Sequence, residues 1–390
     1  MNARARLFVA LVSTALVAYV ALGSVLGRVL GDTSYGQLTV FNEVIRLVLD
    51  SYVDPVNVDR AMAGADLGLT EALDGDSAYL DPDDLKAYQQ PQRESDADIG
   101  VVLSRRFGFL AVVAPRPGSP AAKAGVKAGD IIKTVDGKHS RTVSVPEGER
   151  LLRGAPGSVV KLRLLRAGSD PVDVSVVRER IIPEAAKSRI LEGGPGYMKV
   201  GEFSARTADE MVGEFATLKR AGATSLVLDL RGAAYGSAEA GVRAAELFLK
   251  GGVVTRLVGR RVDEKVMNAD PSRSAWDLPM AVLVDNGTAG PGEIVAAALL
   301  DAGRSPVIGE RTFGRAGVQK LIPLPEGALL LTVAKYVSPK GNAIHGYGHG
   351  VEPSVPVNTP DVDEEEAVSA KDPVLDKAIE MLTKETRKAA

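Results

Sequence analysis

Cysteine is absent from this chain of 390 residues, so hydroxyls, amines, carboxylates and imidazoles must carry any nucleophilic or acid–base chemistry. Disulfides, a thiolate nucleophile and Cys-ligated zinc or iron–sulfur sites are thereby excluded. Three histidines, His139, His345 and His349, leave almost no material for a His-based triad or a three-His metal site. His345 and His349 stand four apart, a spacing that joins ligands only on a helix, and Gly346 and Gly348 between them favour a turn. Serines, threonines and lysines are numerous, and residue type alone does not choose among them.

The 47 Lys+Arg against 50 Asp+Glu give a formal net charge of −3, no reason to expect a nucleic-acid partner. Hydrophobic residues at 45% and charged residues at 25% are ordinary globular usage, and the length suits two or three domains. Arg4 and Arg6 precede an apolar run from Leu7 to Leu26. About 20 such residues cross a ~30 Å hydrocarbon core, and a basic flank keeps the N-terminus cytoplasmic. The expectation is a membrane anchor over residues 1–31, with a signal peptide cut near Ala21-Leu22-Gly23 as the alternative. The rest of the chain is then exported into the cell envelope, in a periplasmic or other extracytoplasmic location.

Three textures follow. Leu38, Phe41, Ile45, Val48 and Tyr52 recur at helical spacing, as do Val58, Met62, Ala65, Leu69 and Leu73. With a capped short helix after Asp81, they predict a helical module over 36–90. A polar linker, Gln89 to Asp98, leads to short β-like runs at Ile99–Leu103, Phe109–Val113, Asp130–Val135, Val159–Leu165 and Val172–Val177. Short helices fit Ala121–Lys123 and Glu147–Arg153, giving a β-rich domain over 96–182. From 183 to 358 strands and helices alternate. Ser225–Leu230 and Met280–Val284 read as strands buried on both faces, and Ala238–Leu249 and Glu293–Leu300 as helices. Thr207 with Glu210 predicts a capping box. Residues 359–390 hold an acidic run, Asp363–Glu366, and a helix from Asp372 to Lys384.

The β-rich domain resembles a PDZ domain through the stretch Ser119 to Ile132, Ser-Pro-Ala-Ala-Lys-Ala-Gly-Val-Lys-Ala-Gly-Asp-Ile-Ile, and Val135-Asp136-Gly137 after it. The resemblance implies an exposed edge at Ile99-Gly100-Val101-Val102, facing the Glu147–Arg153 helix, that binds an extended peptide end by strand addition. From about 36 to 384 the chain resembles the C-terminal processing, or tail-specific, serine peptidases. That likeness rests on Leu73 to Pro82, Leu-Asp-Gly-Asp-Ser-Ala-Tyr-Leu-Asp-Pro, and on Val227-Leu228-Asp229-Leu230-Arg231. It rests also on Glu293 to Leu299, on Gly309-Glu310-Arg311-Thr312-Phe313-Gly314 and on Gly317-Val318-Gln319. It implies a multidomain α+β chain: N-terminal membrane segment, small helical module, β-rich PDZ-like domain and α/β peptidase-like core. It implies a Ser–Lys dyad assisted by Gln319, and no metal or organic cofactor.

The positions that should hold the dyad do not. The family's serine lies three residues before the Glu that starts the helix, which is Gly290 here, with Pro291 and Gly292 following. The lysine follows the Phe-Gly pair, and here that residue is Arg315. Positions 290 and 315 are 25 apart, the family's spacing, so the alignment stands. Glycine cannot form an acyl-enzyme, and arginine, with a pKa above ~12, cannot serve as a base. The oxyanion segment reads Gly232-Ala233-Ala234-Tyr235-Gly236, its Tyr235 replacing a glycine before Gly236.

The expectation is a pseudopeptidase that binds peptide C-termini or protein partners and regulates or scaffolds proteolysis, with an active peptidase relative among its candidate partners. Arg315 would then hold a ligand carboxylate. The alternatives are an active serine-type endopeptidase with a nucleophile moved to Thr288, two residues before Gly290, and a purely structural subunit of a homo-oligomer. Ser305 and Ser338 are the other hydroxyls weighed in the core, and Lys320 beside Gln319 is the one replacement amine, facing away from Gln319 on a strand.

Overall fold

A computed structural model describes residues 34–90, 97–182, 184–346, 348–357 and 372–389. The expected anchor at 1–31, the middle of the linker (91–96), Tyr347 and the acidic run 363–366 lie outside the described residues. Among the described residues no helix is long and apolar enough to cross a membrane, and the expected membrane segment lies outside them. The chain divides between Ala65 and Asp66 into two compact units. In the first, Leu38, Phe41, Val48 and Tyr52 lie along the helix Ser34–Ser51 and its end, and all are exposed. Their helical spacing was correctly legible, but the face they form is not buried.

The second unit begins inside the helix Val58–Glu71 and holds a β-rich domain and an α/β core. The β-rich domain is a six-stranded antiparallel sheet in the order Val101–Arg106, Phe109–Pro115, Ile131–Val135, Val159–Leu165 and Val172–Val177, with the short Lys138–His139 also paired to Ile131–Val135. Alternating burial along Val159–Leu165 shows one face on the core and one in solvent. Ile99, Leu103, Leu110, Ile132, Leu152 and Leu162 fill that core. The helix Val145–Leu152 starts at Ser144, whose hydroxyl accepts from the Glu147 N–H.

The α/β core is built on a six-stranded sheet in the order Val355–Pro356, Val307–Gly309, Met280–Val284, Leu226–Asp229, Gly196–Lys199 and Lys187–Ile190. All pairings are parallel except the last. Helices Thr207–Arg220, Ala238–Glu246 and Pro291–Asp301 cover one face, and the helix Pro373–Ala389 packs Val374, Ala378 and Leu382 on the other. Burial on both faces explains the unbroken apolar runs read from the sequence. The loops after Asp229, Val284 and Gly309 therefore gather at the carboxyl ends of parallel strands, where sites form in such sheets. Gly241 lets two of the helices touch: a Cβ there would lie 2.8 Å from the Pro291 carbonyl oxygen.

A second sheet supplies what the first lacks. The long strand Ala328–Val337 carries Gly317–Pro323 along one edge, and Ala78–Leu80 then Val253–Gly259 along the other. Segments 74–77 and 315–319 thus meet although about 240 residues separate them. One local expectation fails. Arg206, not Thr207, is the N-cap of its helix; the Thr207 hydroxyl accepts from Ser204 N–H and donates to the Glu202 carbonyl instead of capping Glu210.

Candidate functional site

Gly290 caps the N-terminus of the helix Pro291–Asp301 with φ 53° and ψ −112°, a conformation L side chains rarely adopt. This tight turn leads from strand to helix and is where a nucleophile's side chain would be presented. Glycine presents none. A Cβ at Gly290 would meet only the Arg315 carbonyl oxygen, at 3.4 Å, so the space for a side chain persists. Two residues on, Gly292 has no such space, because a Cβ would lie 2.5 Å from the Ala233 carbonyl oxygen.

Glu293 holds the loops around that turn together. It is fully buried, and its carboxylate accepts from Gly290 N–H at 2.9 Å, Thr312 Oγ1–H at 2.6 Å, Gly314 N–H at 2.7 Å and Arg315 N–H at 2.9 Å. Burial pushes its carboxyl up to about 7, and these four donors keep it from rising further. One carboxyl group thus fixes position 290 relative to position 315. Gly314, with φ 90°, packs under the loop 346–350, where a Cβ would lie 2.8 Å from the Gly346 and His349 carbonyl oxygens. The glycines around the two histidines therefore serve close backbone approach. His345 is buried and His349 exposed, so the pair does not share one environment.

Arg315 points at the segment before Ala78–Leu80. Its Nε lies 3.0 Å from both oxygens of Asp76, and Gln319 donates Nε2–H to the Asp76 carbonyl. Burial works against the guanidinium's charge, but Asp76 outweighs it and raises the Arg315 pKa. The expected contact between Arg315 and a ligand's carboxylate is made by Asp76 instead. Asp76 is itself held: Asp74 Oδ1 accepts from Asp76 N–H at 2.9 Å and from Ser77 N–H at 2.6 Å. Asp76 carried no role in the sequence reading, although the Asp-Gly-Asp-Ser turn pattern marks a fixed loop.

Thr288, the hydroxyl nearest in sequence to Gly290, is fully buried. It donates to the Leu230 carbonyl at 2.8 Å, accepts from Asp285 N–H at 3.1 Å and lies 3.0 Å from Asp285 Oδ1. Its role is to shape the loop, and it is not available as a moved nucleophile. Ser305 is buried and bonds to the Met280 carbonyl, at the opposite end of the parallel strands from the site. Ser338 accepts from Asn342 N–H in a turn. Lys320 and Gln319 are both exposed residues on one strand, and the Gln319 side chain alone reaches Asp76.

The oxyanion segment divides into two parts. Ala233 reaches the nucleophile loop, its carbonyl accepting from Ala289 N–H at 3.1 Å. Tyr235-Gly236 instead pairs in parallel with Glu202-Phe203. The Arg116 guanidinium sits 4.3 Å from the Tyr235 ring centroid, and burial pushes the phenol's pKa up. Tyr235 is thus a contact with the β-rich domain. Arg106 makes a second such contact, 4.0 Å from the Phe313 ring centroid and 3.2 Å from its carbonyl oxygen. Val113 and Ala114 bury against Ala234, Ala289 and Phe313, with Val102 packed alongside.

Of the expected peptide edge, Ile99 is a core side chain and Val102 packs toward the α/β core, so neither offers its side chain to a ligand. Gly100, at φ 77°, turns the chain into the edge strand Val101–Arg106.

Known proteins share this architecture. The description of peptidase family S41 matches residues 194–357, and that of the PDZ domain residues 112–166. The chain is 33% identical over 359 residues to the carboxy-terminal processing protease CtpA of Bacillus subtilis (strain 168), spanning 91% of this chain and 76% of that one. It is 33% identical over 295 residues to a carboxyl-terminal-processing protease of Synechocystis sp. (strain ATCC 27184 / PCC 6803 / Kazusa), spanning 74% and 68%. Among solved structures it is similar to the photosystem II D1 C-terminal processing protease, with a TM-score of 0.68 and 28% identity over 80% of this chain and 85% of that one.

Proposed function

The chain belongs to peptidase family S41, and on that premise we propose that it is a member that binds polypeptide without cutting it. The observation that carries the reading is the pairing of Gly290 with an Arg315 already engaged by Asp76. An acyl-enzyme needs an oxygen or sulfur at the first position and a group that can lose a proton at the second. Neither is present, while the turn, the Glu293 anchor and Gln319 persist around them.

The role we propose is to hold peptide ends or protein partners in the PDZ-like groove and the adjoining cleft, and so to regulate or scaffold proteolysis by an active relative. An export route and a membrane anchor belong to the same proposal, supported by the basic flank and apolar run at residues 4–26. The test is a fluorescein-labelled unfolded protein incubated with the full-length chain. Anisotropy should report binding and intact mass should report no shortening. Absence of binding would leave a structural subunit, and shortening would overturn the reading.

A further inference from the structure

The anion cradle of the PDZ-like groove is filled by the chain itself, and we infer that the groove takes an internal, extended stretch of polypeptide rather than a free C-terminus. This rests on the non-cleaving reading and narrows its ligand. Ile99 N–H and Gly100 N–H converge on Asp98 Oδ1, at 2.6 and 3.2 Å. Their carbonyls point elsewhere, accepting from Ala121 N–H at 2.9 Å and Arg116 N–H at 2.8 Å. Successive amides aimed at one point form a nest for an anion, and capture of a C-terminal carboxylate in such a nest is a recurring mode of recognition. Here the anion is a side chain of the same loop.

Asp98 is fixed from its backbone outward. It exchanges backbone hydrogen bonds with Glu179 at 2.9 and 3.0 Å, and Ala97 does the same with Gly154. Arg153 lies 3.8 Å from Asp98 Oδ2. Gly100 leaves no room for a side chain beside the cradle, since a Cβ there would lie 2.5 Å from Ser119 Cβ. At the far end of the same edge strand, Arg105 N–H donates to the Gly75 carbonyl at 3.0 Å. The edge is therefore capped at both ends by this chain. An incoming carboxylate must displace Asp98 and then face its charge, whereas an internal segment needs only the strand's backbone groups.

The test uses one fluorescein-labelled peptide with an apolar last residue, prepared as the free acid and as the C-terminal amide, titrated into the full-length chain by anisotropy. The wild type should bind the amide at least as tightly as the acid. Asp98→Ala should shift the preference toward the acid by about tenfold. If Asp98→Ala does not fold, Asp98→Asn decides: it keeps the acceptor oxygen, loses the charge and should shift the ratio the same way by about threefold. A wild type that prefers the acid by about tenfold, or variants that leave the ratio unchanged or show no binding to either form, would overturn the inference. Intact mass is read on the same samples. Peptide shortening would defeat the non-cleaving reading, while the acid-to-amide ratio would still decide the role of Asp98.

Discussion

The Arg315 guanidinium and the Asp76 carboxylate face each other with Nε 3.0 Å from both carboxylate oxygens, across 239 residues of sequence. The side chains are only 27% and 9% exposed, so water screens the pair weakly. Removing one partner should cost more than removing both. Asp76→Ala alone is expected to destabilise by about 1–3 kcal/mol, and Arg315→Ala added to it should recover part of that loss. Denaturant unfolding of the two single variants and the double variant measures the coupling. Additive losses would mean that the pair has no energetic link.

The two glycines at the start of the helix Pro291–Asp301 should respond to different degrees. Gly290→Ala meets only a contact at 3.4 Å and the strain of φ 53°, an expected cost of about 1–2 kcal/mol. Gly292→Ala drives a methyl to 2.5 Å from the Ala233 carbonyl oxygen and should cost about 3 kcal/mol or disrupt the loop. Thermal midpoints rank them, and the reverse order would contradict the geometry.

Glu293 predicts a pH dependence whose sign can be worked out. Its carboxyl is raised from 4.5 to about 7 in the folded chain, so the native state binds a proton that the unfolded state releases. Stability from this group is then full below about pH 4.5 and is lost as pH rises through about 7, by at most about 3 kcal/mol. Glu293→Gln should lack that dependence. The difference between wild-type and variant stabilities, followed from pH 5 to 8, should move steadily against the wild type. A flat difference would show that the folded carboxyl is not raised.

Thr288→Ala should behave as the loss of a buried structural hydroxyl. The Leu230 carbonyl and Asp285 N–H lose a partner, at about 1–3 kcal/mol. Thr288→Ser, which keeps the hydroxyl, should recover most of this in denaturant unfolding. A loss equal for both would assign the effect to the methyl group.

Local pattern reached some parts of this molecule and long-range contact decided the others. The strands Val159–Leu165, Val172–Val177 and Met280–Val284 match their expected limits because each carries a pattern that its own burial imposes. Gly290 and Arg315 were located by the resemblance to the C-terminal processing peptidases, whose motifs flank both positions, and not by local pattern. The role of Asp76 was reached by neither, because its partner is delivered by pairing across a sheet whose strands come from both ends of the chain. Asp98 reads as one more polar linker residue until the two amides after it are seen to converge. Thr207 shows the limit of a cap pattern: its hydroxyl found the Glu202 carbonyl before it could cap a helix. The apolar spacing of Leu38, Phe41 and Val48 predicted a helix correctly but not what that face meets.

The most direct test of the central claim is intact-mass analysis of a disordered, C-terminally tagged substrate incubated with the full-length chain. Two variants run beside it, Gly290→Ser/Arg315→Lys and the same pair with Asp76→Asn. A lysine at 315 beside the Asp76 carboxylate would be held protonated, so the third change should be needed to free a base. The expected result is an uncut substrate with the wild type, at most slow trimming with the double variant, and trimming about tenfold faster or more with the triple. Trimming by the wild type itself would contradict the account.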